Sequence, residues 1–244
     1  MKAYIIKIEL EESNPLIWRK VIMPAGATYK RLHDIIQNVS NFQSGYPFEG
    51  YHLYEFDLTD ENMIVTDNEE AYLEHKHYVK NKKFYEERLK NMEQDMKDYE
   101  KKHQERLKIE VRKPSVLKID DYIEKYKEIR YNYDFGDNWW FTIKLEEIVY
   151  DYYFGFPTLL DGAEIAPPED IGGIHGFYDF LEAYRNPGDL EHKKAKELYE
   201  EWQFREYDPD FINDILKSIK YKKTEWDKIN HDNYKIIGDK YRKK

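Results

Sequence analysis

No cysteine occurs among the 244 residues, which excludes disulfide scaffolds, thiolate metal sites and cysteine nucleophiles. Glycine and proline are scarce too, at 11 and 9 residues, so collagen-like and linker-dominated architectures are excluded. Long apolar runs are missing as well. The opening Met1-Lys2-Ala3-Tyr4-Ile5-Ile6 is broken at Lys7 and Glu9, short of the about 7–15 apolar residues of a secretory signal. No stretch approaches the ~18 apolar residues of a membrane span, so the reading is a cytoplasmic protein without membrane contact. A Gly-rich phosphate loop, a G-x-S-x-G elbow and an H-E-x-x-H helix are also lacking, which argues against the enzyme classes built on them.

What the chain does have is aromatic rings and charge. Its 23 Tyr, 12 Phe and 5 Trp rule out general disorder, because disordered chains are poor in aromatics. Charged residues make up 36%, with a net charge of −10 that is unevenly spread. Residues 217–244 hold ten Lys or Arg against four acids, a net of +6 that leaves the other 216 residues at −16. Trp226 and three tyrosines interleave there with Lys222, Lys223, Lys240 and Arg242. That pattern suits a backbone-tracking, base-stacking contact with nucleic acid. The same basic tail can equally pair with the acidic body.

Periodicity supplies the elements. Ile6, Ile8 and Leu10 alternate with charged residues, Asn14-Pro15 marks a turn, and 17–22 reads as the return strand. Thr28 is placed to cap a helix whose Leu32, Ile35, Ile36 and Val39 recur at helical spacing. A third strand is expected over 51–58. Residues 129–135 and 139–145 alternate on either side of Gly136-Asp137-Asn138, the clearest hairpin in the chain. Residues 157–176 read as a Pro/Gly-rich loop, and helices are expected near 116–126, 177–186, 190–203 and 209–220. The expected fold is α+β, a mixed and mainly antiparallel sheet with helices on one face and a β-grasp-like ββαβ start. A single domain over 1–220 would be followed by a polar tail over 221–244.

Between Gly50 and Pro114 there is neither Gly nor Pro, and about residues 72–109 read as one long charged helix inserted into the domain. Tyr85, Leu89, Met92, Met96 and Tyr99 form a short heptad seam that fails at His103 and Arg106. Either the helix packs on its own domain or it pairs with a second copy in a homodimer.

Five ordered segments resemble one known family. They are Pro15-Leu16-Ile17-Trp18-Arg19, Leu32-His33-Asp34-Ile35-Ile36, Tyr51-His52-Leu53-Tyr54-Glu55-Phe56, the 131–139 hairpin Tyr-Asn-Tyr-Asp-Phe-Gly-Asp-Asn-Trp, and Asp161-Gly162 with Pro167-Pro168-Glu169-Asp170 and the 178–183 segment. In order and spacing this is similar to the Ri-plasmid open-reading-frame-three-like family, also labelled a transposon passenger protein of TnpR type. The resemblance covers about 1–58 and 116–220. It implies a compact α+β fold and a history on mobile elements, and it implies no established reaction. Three departures stand out: many relatives carry His at Phe141, and Cys at Ala166 and Ile171, so any metal or redox site built on those residues is absent here.

The candidate binding groove comprises Trp18, Arg19, His33, His52, Glu55, Asp134, Asp137, Trp139, Glu169 and Asp170. Converging carboxylates from Asp134, Asp137, Glu169 and Asp170 could hold a divalent metal and support metal-assisted hydrolysis. The same side chains could instead cap backbone N–H groups at the turn and at a helix start. His33 and His52 lie on apolar stripes, where a satisfied core histidine competes with a ligand. His52 and Glu55, three apart on a strand, point to opposite faces. Arg19 could grip a phosphate or carboxylate, or pair within the sheet. The expected function is a non-catalytic binding or interaction module. The alternatives are a metal-dependent hydrolase and a nucleic-acid accessory factor acting through the tail.

Overall fold

The computed structural model describes residues 1–42, 52–201, 204–224 and 240–241. Alternating apolar residues build a sheet of eight strands: β1 (Ala3–Leu10), β2 (Trp18–Pro24), β3 (Tyr54–Leu58), β4 (Met63–Thr66), β5 (Glu110–Arg112), β6 (Glu128–Tyr133), β7 (Trp139–Val149) and β8 (Thr158–Ala163). Their spatial order is β5-β4-β3-β6-β7-β1-β2-β8, and every pairing is antiparallel except β4 with β5. The eight helices of the described residues are α1 (Tyr29–Val39), α2 (Glu69–Lys80), α3 (Lys82–Asn91), α4 (Gln94–Lys108), α5 (Asp120–Tyr126), α6 (Gly173–Arg185), α7 (His192–Glu201) and α8 (Pro209–Leu216).

Strand parity separates two cores. Tyr4, Ile6, Ile8 and Leu10 of β1 face the main core with Tyr54 and Phe56 of β3, Tyr131 and Tyr133 of β6, and the apolar sides of α1, α6 and α8. The intervening Ala3 and Ile5 face a smaller cluster with Ile22, Tyr152, Phe154 and Leu160. Each large apolar side chain so buried contributes roughly 1.5–3 kcal/mol. Farther along β1 the second face turns polar, where Glu9 meets Lys144 at 2.7 Å and Lys20 of β2 meets Glu146 at 2.9 Å. Helix α1 begins as its sequence predicts, with the Thr28 hydroxyl accepting from the Arg31 N–H.

The ββαβ order of the first four elements is present, and the β6–β7 hairpin lies between β1 and β3 in the sheet. Two other local expectations are corrected. The stretch over 72–109 is three helices rather than one long one, broken at Asn81 and again at Met92 and Glu93, whose ψ values of 150 are extended. The helices fold back on their own chain: Gln104 donates to the Tyr85 carbonyl at 2.9 Å, and Arg88 reaches the buried Glu100 at 3.2 Å. The heptad seam is thereby divided between α3 and α4. The Pro/Gly-rich segment over 157–176 also contains β8. Its outer edge is closed by Asn213 of α8, whose amide accepts from the Leu159 N–H at 2.8 Å and donates to the Leu159 carbonyl at 3.2 Å. One side chain thus substitutes for a neighbouring strand.

Candidate functional site

The backbone N–H of Asp134 donates to the Leu53 carbonyl at 3.0 Å, extending the β3–β6 pairing one residue beyond Tyr54 and Tyr133. That bond brings His52 beside Asp134, 82 positions away in sequence. Asp134 has left the strand with a φ of 53, a left-handed conformation that Asp adopts more readily than most residues. Its Oδ1 accepts the Gly136 N–H at 2.9 Å, which shapes the turn into β7.

A second loop, residues 164–172, arrives from β8. The Tyr133 hydroxyl donates to Glu169 Oε1 at 2.7 Å, and Asp137 Oδ2 accepts the Gly172 N–H at 3.1 Å. Gly173, with φ 70, sits where a Cβ would approach the Asp137 carbonyl oxygen to 2.8 Å, so a side chain there would force the turn and loop apart. Asp170 also has a left-handed φ of 53.

These restraints arrange carboxylates on both sides of one imidazole. His52 Nδ1 lies 3.4 Å from Asp134 Oδ1, and His52 Nε2 lies 3.7 Å from Glu169 Oε2 and 3.6 Å from Asp170 Oδ1. Taking one donor atom each, His52, Asp134 and Asp170 fall within 4.8 Å of one another. Ligand atoms about 2.1 Å from a tetrahedral ion sit about 3.4 Å apart, so this spacing is of the right order for a shared cation. Among the described residues, neither Asp134 nor Asp170 meets a Lys or Arg. The side chains of Asp134 and Glu169 are 9% and 17% exposed, whereas Asp170 is 70% exposed, so the centre opens to solvent on one side. Burial and the adjoining Glu169 carboxylate push the Tyr133 hydroxyl far above its ordinary pKa, which keeps it a proton donor to Glu169.

The other residues singled out in the sequence serve elsewhere. Asp137 ties turn to loop. His33 lies inside the core, stacked on Tyr54 at 3.7 Å, with Nδ1 2.7 Å from the Tyr131 hydroxyl. Burial, with a smaller contribution from Lys30, holds its pKa well below 6.5, so it stays neutral. Arg19 is buried and spends its donors on the carbonyls of Val39, Trp18, Ala163 and Glu164, at 2.7–2.9 Å, with Tyr207 stacked on the guanidinium. Burial pushes its pKa down to about 10. Its fork joins β2, the end of α1 and β8, with no carboxylate at ion-pair distance among the described residues. Glu55 faces away from Tyr54 and Phe56, and burial and then Asp57 raise its pKa. Trp18 lies under the Lys7 ammonium at 4.9 Å, and Trp139 is buried 5.9 Å from Phe42.

Of the tail residues, Lys222 packs against Gly26 and Gly155, and Lys240 pairs with Asp151 at 2.6 Å. Lys223 is described without a carboxylate contact, and Trp226 and Arg242 lie outside the described residues. Sequence reasoning missed Tyr133 as the residue that holds Glu169. The signal was its phase: it shares a sheet face with Tyr131 and adjoins Asp134.

No helix among the described residues is long and apolar enough to cross a membrane. The chain is 26% identical over 193 residues to the uncharacterized protein y4hQ of Sinorhizobium fredii (strain NBRC 101917 / NGR234), covering 79% of this chain and 78% of that protein. The crystal structure of the protein of unknown function MM3350 from Methanosarcina mazei Go1 is similar, with a TM-score of 0.58 and 26% identity over 85% of this chain and 96% of that one. The family model of plasmid pRiA4b ORF-3-like proteins matches residues 2–214, and the chain belongs to that family.

Proposed function

We propose that the His52 centre is a divalent-cation site and that the protein works as a cation-dependent binding module. The observation that carries this reading is the approach of donor atoms from His52, Asp134 and Asp170 to within 4.8 Å of one another. Asp134 and Asp170, which meet no Lys or Arg among the described residues, repel one another, and a cation relieves that repulsion. One imidazole with carboxylates and no thiolate suits Zn²⁺, Mn²⁺ or Fe²⁺. Glu169, held by Tyr133, is the natural additional ligand or outer partner. Asp137 and Gly172, from the turn and loop that carry Asp134 and Asp170, line a separate cleft of about 380 Å³ with Glu11, Arg130, Trp140 and His175.

Calorimetric titration with Zn²⁺, Mn²⁺, Mg²⁺ and Ca²⁺ tests this reading. One ion bound per chain is expected, lost in Asp134→Asn and in Asp170→Asn. Unchanged binding in both variants would contradict it.

A second reading, metal-assisted hydrolysis, is favoured by the exposure of Asp170, through which water would reach an ion held there. It predicts turnover of phosphodiester or ester model substrates that needs the added ion and disappears in His52→Ala. A silent metal-loaded protein would leave the binding role alone.

A further inference from the structure

The body outside the tail is strongly acidic, and one cleft departs from that charge. It lies between α2 and the edge strand β5, with a volume of about 290 Å³, lined by Tyr72, His75, Lys76, Val111, Arg112 and Lys113 together with Glu110, Val116 and Leu117. Three permanent cations face it against one carboxylate. Arg112 meets Glu110 at 3.3 Å and Lys113 meets Glu69 at 2.6 Å, while Lys76 has no carboxylate at ion-pair distance among the described residues. The Tyr72 ring carries two ammonium groups, Lys76 at 4.8 Å and Lys113 at 4.6 Å. Val116 stands 77% exposed at the rim, an apolar side chain with water on most of its surface.

Backbone bonds fix each wall, and the Lys113–Glu69 pair joins the two across the cleft. Tyr29 N–H donates to the Leu117 carbonyl at 3.1 Å and Lys30 N–H to the Pro114 carbonyl at 2.9 Å, which pins 113–117 to the start of α1. On the opposite wall Asn68 caps α2, and His75 Nδ1 is fixed 2.9 Å from the Leu107 carbonyl. Lys113 is committed to Glu69, but Lys76, with no carboxylate at ion-pair distance among the described residues, and the solvent-exposed Arg112 remain to receive a further anion at this cleft.

We propose that this cleft binds a small organic anion, a phosphate or carboxylate joined to a flat apolar group. The anionic end would sit among Lys76, Arg112 and Lys113, and the flat end against Tyr72 and Val116. The cleft shares no lining residue with the His52 centre, so the inference stands apart from the cation reading.

The test is a titration of the full chain, without added metal, with phenyl phosphate and in parallel with benzoate, followed by NMR at Tyr72 and His75. Saturable shifts with either probe are expected, and the stronger of the two tells whether phosphate or carboxylate is preferred. Lys76→Glu with Arg112→Glu should weaken binding at least about tenfold while the circular dichroism stays unchanged, since both side chains are exposed. Shifts that never saturate, equal affinity in the double variant, or inorganic phosphate binding as tightly as phenyl phosphate would each overturn the proposal, the last by reducing the cleft to a counter-ion cloud.

Discussion

His33 and His52 stand on one ladder of tyrosines and meet opposite surroundings. Tyr131 and Tyr133 are stacked neighbours on β6, 6.4 Å apart. The first receives His33 at hydrogen-bond distance, and the second meets the His52 ring edge-on at 5.9 Å. His33 has aromatic rings around it and, among the described residues, no carboxylate partner, so burial keeps it neutral and its work is packing. His52, where the strands end, has carboxylates on both sides and water beyond Asp170. Two residues of the same type, 19 positions apart, are given different chemistry by whether a strand continues or turns.

The largest effect that would sharpen this contrast is on stability. His33→Ala empties a fully packed position and leaves the Tyr131 hydroxyl without its imidazole partner, at a cost of about 3 kcal/mol in denaturant unfolding, with cation binding intact. His52→Ala should do the reverse: cation affinity falls at least about 100-fold, and stability without metal changes by less than about 1 kcal/mol. Equal destabilisation by both substitutions would break the comparison.

Next in size is Tyr133→Phe. Losing the hydroxyl that holds Glu169 should weaken cation binding about tenfold, measured by the same titration. The pH dependence should be smaller and specific to His33. Above pH 6.5 the residue is neutral both folded and unfolded. Below it the unfolded chain takes up a proton that the folded core refuses, so this contribution to stability is lost as pH falls from 6.5 towards the depressed folded value. Denaturant midpoints should decline less steeply below pH 6.5 in His33→Leu than in the wild type. Smallest is Glu55→Gln, which replaces a carboxyl whose charge is disfavoured by burial and by Asp57. Cation binding should not change, because Glu55 lies on the other face of β3.

Most strands were legible because their cause is local. Alternation over 129–145 reports which side chains a sheet buries, and Thr28 announces α1 by its own hydroxyl. The break at Met92 was not legible, because no Gly or Pro marks it and its reason lies in distant contacts, Gln104 with Tyr85 and Glu100 with Arg88. Strand β8 hid in a Gly/Pro-rich stretch because its edge is closed by Asn213, 54 residues on. For the site, residue types were readable and their meeting was not. His52, Asp134 and Asp170 come from three separate segments, joined by one backbone bond at Leu53 and one phenol at Tyr133. Arg19 was ambiguous for a different reason: a guanidinium fork donates to any suitably placed oxygen, and here backbone carbonyls far apart in sequence take up its N–H groups.

The most direct test is anomalous scattering from crystals grown with Mn²⁺. One peak is expected within about 2.2 Å of a His52 ring nitrogen and of oxygens from Asp134 and Asp170, absent in His52→Ala. A fully soaked crystal with no peak there, or a peak that persists without the imidazole, would contradict the cation reading.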